Sequence, residues 1–217
     1  MMNQADIYLE LRSQAALDAI RVATAVVPHL TDPLDQDLIQ TLTERRAVKY
    51  FTAERPNATS LQALHADMTA VDETLWPGGA GTGRLRYIFA VSHIEGLDQG
   101  LYELSTNQFV FLTPFAPSIG LRDAVLQPEF GDAAAVLLVT GSLLEAVKNR
   151  GEHGHRILLS RAGAACEIAW LRVLESGYVA SIFAGFLPSM LRLHLEFDGY
   201  AQTQLLALAI GMERERG

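Results

Sequence analysis

Cysteine is almost absent: Cys166 is the single one in 217 residues. No intrachain disulfide can form, and a reducing, cytoplasmic setting is the natural expectation. Long apolar runs are missing too. No window of about 18 residues is free of charge and polarity, so no membrane-spanning helix is expected. The N-terminus lacks the basic-then-apolar pattern of a signal peptide. Basic residues are scarce. A formal charge of −8 argues against a nucleic-acid or membrane surface, both of which need concentrated positive charge. Histidine and cysteine do not cluster at zinc spacing, so no metal is expected. His153 and His155 lack further partners, and Gly151-Glu152-His153-Gly154-His155-Arg156 reads as a solvated loop.

What the chain does have is apolar residues, 49% of it, enough for a sizeable core in one domain spanning 1–217. Residues 5–30 carry apolar positions at helical spacing and give a helical extension over 1–32. Asp32-Pro33 reads as an N-cap followed by a first-turn proline, predicting a helix to about Arg46. Asn57 repeats the start signal, with a helix over 61–70. Trp76 to Gly83 holds four glycines and a proline and must be a loop.

Strands are predicted over 84–92, 179–185 and 204–210. A hairpin is predicted around Ser105-Thr106-Asn107. Residues 133–140, AAAVLLVT, form the unbroken apolar run of a strand buried on both faces. Residues 156–176 give the longest helix, apolar nearly all round, with Gly177 as its stop. A helical half leading into a mixed β half is an α+β pattern.

Three segments could carry chemistry. Glu44-Arg45-Arg46-Ala47-Val48-Lys49-Tyr50-Phe51 puts three cations in five residues of an acidic chain. A guanidinium beside an ammonium is a natural phosphate clamp. The same cations would also complement the negative end of a helix. Glycines in Trp76-Pro77-Gly78-Gly79-Ala80-Gly81-Thr82-Gly83 let backbone N–H groups approach a flat ring or an anion. Equally, they make a flexible loop, and their spacing is neither a Rossmann nor a Walker pattern. Cys166, inside the apolar helix, reads as a packed small hydrophobe rather than a nucleophile.

The order of these segments resembles the nitroreductase superfamily, and within it the SagB-type branch, the azoline-oxidising dehydrogenases that form thiazoles and oxazoles in peptides. The resemblance runs from about Leu38 to Gly211. Arg45-Arg-Ala-Val-Lys49-Tyr-Phe51 matches an Arg-x-Ser-x-Arg/Lys-x-Phe opening, with Ala47 in the serine place. Pro77-Gly78-Gly79 matches a Ser-Gly-Gly loop, with Pro77 for serine. Glu95-Gly96-Leu97 followed by Gly100-Leu101-Tyr102 resembles the hairpin that marks the branch. Gly154-His155-Arg156 with Leu158-Leu159-Ser160-Arg161-Ala162-Gly163 resembles its Gly-Tyr-Arg…Leu-Leu-Glu-Ala-Gly. Gly177 to Phe186 keeps the register of Gly-Leu-Gly-Thr-Cys…Gly-Gly-Phe, and Ala207-Leu-Ala-Ile-Gly211 closes the match.

The resemblance implies a nitroreductase-like α+β fold, a central mixed or antiparallel sheet flanked by helices, with the long buried helix at a homodimer interface. It implies FMN shared between protomers, held by Arg45, Arg46, Ala47, Lys49, Pro77, Gly78, Gly79, Ala184, Gly185 and Arg214. It implies oxidation of a thiazoline or oxazoline on a peptide or carrier-bound intermediate. The branch's Lys-Tyr pair, which acts in proton abstraction, is replaced by Asn149-Arg150. Lys148 takes the lysine place, as general base, with one residue inserted. Alternatives are an NAD(P)H-dependent nitro or enone reductase and a catalytically degenerate scaffold subunit.

Overall fold

A computed structural model describes residues 38–214 except 107, 117, 118 and 196. The helices expected before residue 38, and Arg216, lie outside the described residues. Helix α1, Leu38–Glu44, ends two residues before Arg46. Helix α2, Ala58–Gln62, starts where Asn57 predicts, the Asn57 side chain accepting from the Thr59 N–H at 2.8 Å. Ala63 interrupts the path before α3, Leu64–Leu75, which outruns the expected end by five residues.

The sheet has six strands: β1 Arg86–Val91, β2 Gly100–Ser105, β3 Gln108–Thr113, β4 Ala135–Gly141, β5 Val179–Phe183 and β6 Thr203–Gly211. Their order is β3-β2-β1-β4-β6-β5. Every strand pair in it is antiparallel, one of the two arrangements, mixed or antiparallel, expected of the sheet. All seven residues of β4 are buried, as its unbroken apolar run requires. Successive side chains alternate between two cores. Leu137 and Val139, with Phe89 and Leu208, face one. Val136 and Leu138, with Ile88 and Ala207, face the other.

The first core is closed by α3, by α4, Leu143–Arg150, and by α5, Glu152–Glu175. Helix α4 had a local signal, Ser142-x-x-Glu145, and the Ser142 hydroxyl does accept from the Glu145 N–H at 3.0 Å. Helix α5 begins at Glu152, so residues 152–156 are helical rather than a solvated loop. Gly154 explains the error. It lowers helix propensity, yet here it is buried, and a Cβ on it would overlap the Ala146 carbonyl of α4. The glycine allows the close helix crossing. From Arg161 to Glu175 every α5 residue is buried or half-buried within the chain itself. Gly177, at φ +78°, ends the helix: its N–H reaches the Leu174 carbonyl, and the Tyr178 N–H reaches that of Val173. The second core lies under residues 48–51, the 3₁₀ turns Leu121–Ala124 and Pro128–Asp132, and α6, Pro188–His194. The architecture is α+β.

Candidate functional site

Two stretches far apart in sequence are stitched together beside β6. The Thr52 N–H donates to the Met212 carbonyl at 2.9 Å, and the Arg214 N–H donates to the Tyr50 carbonyl at 3.0 Å. This brings Arg46, Lys49 and Arg214 to one open groove of about 760 Å³. Arg46 donates to Glu213 at 2.6 Å, and the Arg214 guanidinium stands 3.9 Å from Asp132. Lys49 has no ion-pair partner among the described residues.

Through Ala47 and Lys49 the groove continues into a second cleft of about 270 Å³. Its walls come from β5 and from the turn at Pro128–Asp132. The Phe130 and Phe183 rings stack there, centroids 4.4 Å apart, with Ile182 and Ala184 beside them. Gln127, Glu129 and Ser181 supply polar atoms. Ser181 is 1% exposed, and its hydroxyl has no hydrogen-bond partner. Such a group costs stability unless something answers it. Gly185 is tied to the cleft through Gln127, whose Oε1 occupies the space a Cβ on Gly185 would need. A cationic mouth leading to a half-apolar, aromatic-walled cleft with an orphan hydroxyl suits a flat molecule carrying an anionic tail. FMN has those features.

The glycine-rich segment lies elsewhere. Pro77–Gly81 is a 3₁₀-like turn in which Gly78, Gly79 and Ala80 all have positive φ, from 48° to 67°. Arg161, which is 1% exposed, packs against it from within, and a cleft of about 370 Å³ lined by Asp72, Glu73, Gly78, Gly79, Gly83 and Arg84 opens beside it. The Arg161 guanidinium donates to both Asp72 carboxylate oxygens at 2.8 and 2.6 Å. It also reaches the Gly79 carbonyl at 3.1 Å, Thr82 Oγ1 at 2.6 Å and the Gly83 carbonyl at 2.7 Å. Only glycine fits opposite it, since a Cβ on Gly79 would come within 2.9 Å of the guanidinium. Asn149 and Arg150 complete the lock, donating to the Gly81 and Ala80 carbonyls at 3.0 and 2.8 Å.

The structure therefore gathers Arg46, Ala47, Lys49, Ala184 and Arg214 around one groove and cleft, with Gly185 adjoining. Pro77, Gly78 and Gly79 belong to a separate locked turn. Arg45 turns away from the groove: its guanidinium lies 4.4 Å over the Trp170 ring and its Nε is 3.7 Å from Glu167. Lys148 is exposed on α4 and lines none of these clefts. Cys166 is fully buried and the burial pushes its thiol up to about 12, so it is no nucleophile. Among the described residues no group of acidic, histidine and cysteine side chains could hold a metal, and no helix is long and apolar enough to cross a membrane.

Ser181, Gln127 and Phe130 sit in no local pattern that would single them out before the fold is known. Arg161 did carry a signal. It is a cation on the buried stripe of an apolar helix, in register with Leu158, Ala162 and Ala165.

No family model matches the chain, and no curated protein does. Solved structures do. A chain from Anabaena variabilis, provisionally described as a nitroreductase, superposes with a TM-score of 0.65 at 22% identity, over 82% of this chain. This chain spans only 38% of that one. The Escherichia coli microcin synthetase complex McbBCD, solved with truncated pro-MccB17 bound, matches with a TM-score of 0.59 at 13% identity, covering 89% of this chain and 80% of that one. A Staphylococcus epidermidis protein provisionally described as an NAD(P)H:FMN oxidoreductase matches at 0.57 and 13% identity, covering 87% and 92%. The chain has a nitroreductase-like fold: an antiparallel six-stranded sheet flanked by helices.

Proposed function

We propose that this protein is an FMN-dependent oxidoreductase, working as a homodimer, that oxidises a thiazoline- or oxazoline-type ring on a peptide or carrier-bound intermediate. The observation that carries the cofactor reading is the continuity of the Lys49–Arg214 groove with the Ser181–Phe183 cleft. In this reading Lys49, Arg46 and Arg214 meet the FMN phosphate. Phe130, Phe183 and Ala184 flank the ring, and the Ser181 hydroxyl gains a partner. Arg46 would exchange its Glu213 contact for the phosphate, a doubly charged acceptor.

Bound FMN would supply the two-electron acceptor, reoxidised by dioxygen. The protein's part is to bind, orient and exclude water. Dehydrogenating the ring also removes a proton, for which the chain must offer a base. Lys148 can take that role only where a second copy of the chain brings it to the ring. The hairpin Glu95-Gly96-Leu97…Gly100-Leu101-Tyr102, shared with the peptide-oxidising branch, and the fold likeness to the microcin synthetase complex support the substrate class. The dimer rests on the resemblance alone, since from Arg161 to Glu175 helix α5 is already buried or half-buried within the chain.

One observation favours a second reading. The glycine turn that the resemblance would set beside the flavin is tied from within by Arg161 and clamped by Asn149 and Arg150, the residues standing in place of the branch's Lys-Tyr pair. A scaffold subunit of a biosynthetic complex could carry such a change at no cost.

Titrating the purified protein with FMN, followed by flavin fluorescence and the visible spectrum, separates the two. The enzyme reading expects a yellow protein that releases FMN on denaturation. A colourless protein that takes up no flavin overturns it. For the reaction class, NADPH and a nitroarene are supplied anaerobically. Rapid flavin bleaching with nitro turnover would replace azoline oxidation by a general reductase.

A further inference from the structure

Beyond Ala184 lies a pocket of about 380 Å³ that neither the cations nor the ring cleft use. It sits between α6, the segment following it and the start of β6. Ala184 lines both this pocket and the ring cleft, so the two adjoin. Leu126, Phe186, Leu191, Phe197 and Leu205 make apolar walls. Three of them, Phe186, Leu191 and Phe197, also belong to the second core, so the cavity is held by packed side chains.

Arg192, Gln202, Thr203 and Gln204 break the apolar lining, and two of them are left, among the described residues, without a partner of the kind they suit. Gln202 Oε1 is sealed from solvent and has no hydrogen-bond partner, so it is an acceptor awaiting an N–H or O–H donor. Arg192 lies on the rim, exposed, with no carboxylate partner among the described residues. A guanidinium suits a carboxylate, two donors to two oxygens. An apolar body, an N–H donor and a carboxylate are together the features of an apolar amino-acid residue with an acylated amine.

We propose that this pocket binds an apolar residue bearing an acylated amine and a free carboxylate, its side chain between Leu191 and Leu205, its amide N–H on Gln202 and its carboxylate on Arg192. A peptide C-terminus and a free N-acyl amino acid share that chemistry. The proposal deepens the oxidoreductase reading, since the ligand would lie next to the ring cleft. It does not depend on flavin, because no part of the pocket is made by a cofactor.

The test is calorimetric titration of the purified protein, without added flavin, with N-acetyl-L-leucine, with N-acetyl-L-leucinamide and with a hexapeptide acid ending in leucine. N-acetyl-L-leucine should bind at least about tenfold tighter than its amide, a ratio worth about 1.4 kcal/mol. Arg192→Ala should erase that ratio, and Gln202→Met should weaken the acid by a similar factor. Leu205→Trp, which fills the cavity, should abolish binding while the folded circular dichroism spectrum persists. Tighter binding of the hexapeptide identifies a peptide as the source, and equal binding identifies a small acid. Either supports the pocket. No heat with any probe, or an acid-to-amide ratio that survives Arg192→Ala, overturns it. Flavin titration of the same sample keeps the two readings apart: FMN bound with no peptide acid bound sinks the pocket alone.

Discussion

The glycine turn and the Lys49 cleft are built from similar materials and end in opposite states. Each pairs cations with backbone and aromatic or carbonyl surface. At the turn each nitrogen of the Arg161 guanidinium donates to a protein acceptor, and the carboxylate facing it is bound at both oxygens. At the cleft, among the described residues, the Lys49 ammonium has no ion partner and the buried Ser181 hydroxyl has no hydrogen-bond partner. A site that satisfies itself is part of the fold's internal support. A site that leaves polar atoms unanswered is paying a cost that a ligand can remove. Glycine content alone pointed to the turn; hydrogen-bond accounting points to the cleft.

The largest effect should come from breaking the turn. Arg161→Met leaves the Asp72 carboxylate and the Gly83 carbonyl without their donor, while the Gly79 carbonyl keeps the Thr82 N–H and hydroxyl. Removing one partner of a buried ion pair costs about 3–5 kcal/mol. Urea denaturation should show a loss of that size, and a second change, Asp72→Leu, should recover part of it. A loss under about 1 kcal/mol would mean the turn is not held from within.

The cleft should respond in binding rather than in stability. A charge-assisted hydrogen bond contributes about 1.5–3 kcal/mol, so Lys49→Ala should weaken FMN binding roughly tenfold to a hundredfold. Arg55→Ala, outside the groove, should change little. Equal retention of flavin by both variants would remove the phosphate from this groove.

Arg45 separates resemblance from geometry. As a phosphate ligand, Arg45→Ala should behave as Lys49→Ala does. Stacked on Trp170, it should instead cost about 0.5–2 kcal/mol of stability, the range of a cation–π contact, and leave flavin affinity intact. The second outcome is expected from its position over the ring.

The smallest effect is set by pH. Burial pushes the Cys166 thiol up to about 12, and burial also raises Tyr87. A group whose folded value is raised gives its full stability below its unfolded value and loses it as pH rises towards the folded one. Stability should therefore decline from about pH 8.5–10, where free thiols and phenols ionise. Iodoacetamide at pH 8 should label Cys166 only after unfolding. Rapid labelling of the native protein would contradict its burial. At the acid end, Arg86 hydrogen-bonds Glu103 and holds its carboxyl below the usual range. Its contribution is present above the ordinary carboxylate value and is lost as pH falls through the lowered one.

The sheet was readable because its signals are local. AAAVLLVT reads as a strand covered on both faces, and Ser105-Thr106-Asn107 between two apolar runs reads as a hairpin. The start of α5 was not readable, since Gly154 means a loop in sequence and a close crossing in space. The site was half readable. Arg46, Ala47 and Lys49 adjoin in sequence, whereas Ser181, Gln127 and Arg214 reach them only through the order in which the strands pair. Arg45 and Lys49 are four residues apart and look like one clamp. Their side chains part because Trp170 offers Arg45 an aromatic face in the opposite direction.

The groove joins residues 46–50 to residues 213–214, and the Arg46–Glu213 contact spans 167 positions. Contacts of such sequence separation carry a large loop-closure cost and form late in folding. A nascent chain halted before Met212 would hold the hairpin, β4 and the long helix, yet have only one wall of the groove. On the FMN reading, a chain shortened to Gly211 should therefore keep its six strands yet take up no flavin, and one carried through Arg214 should take it up.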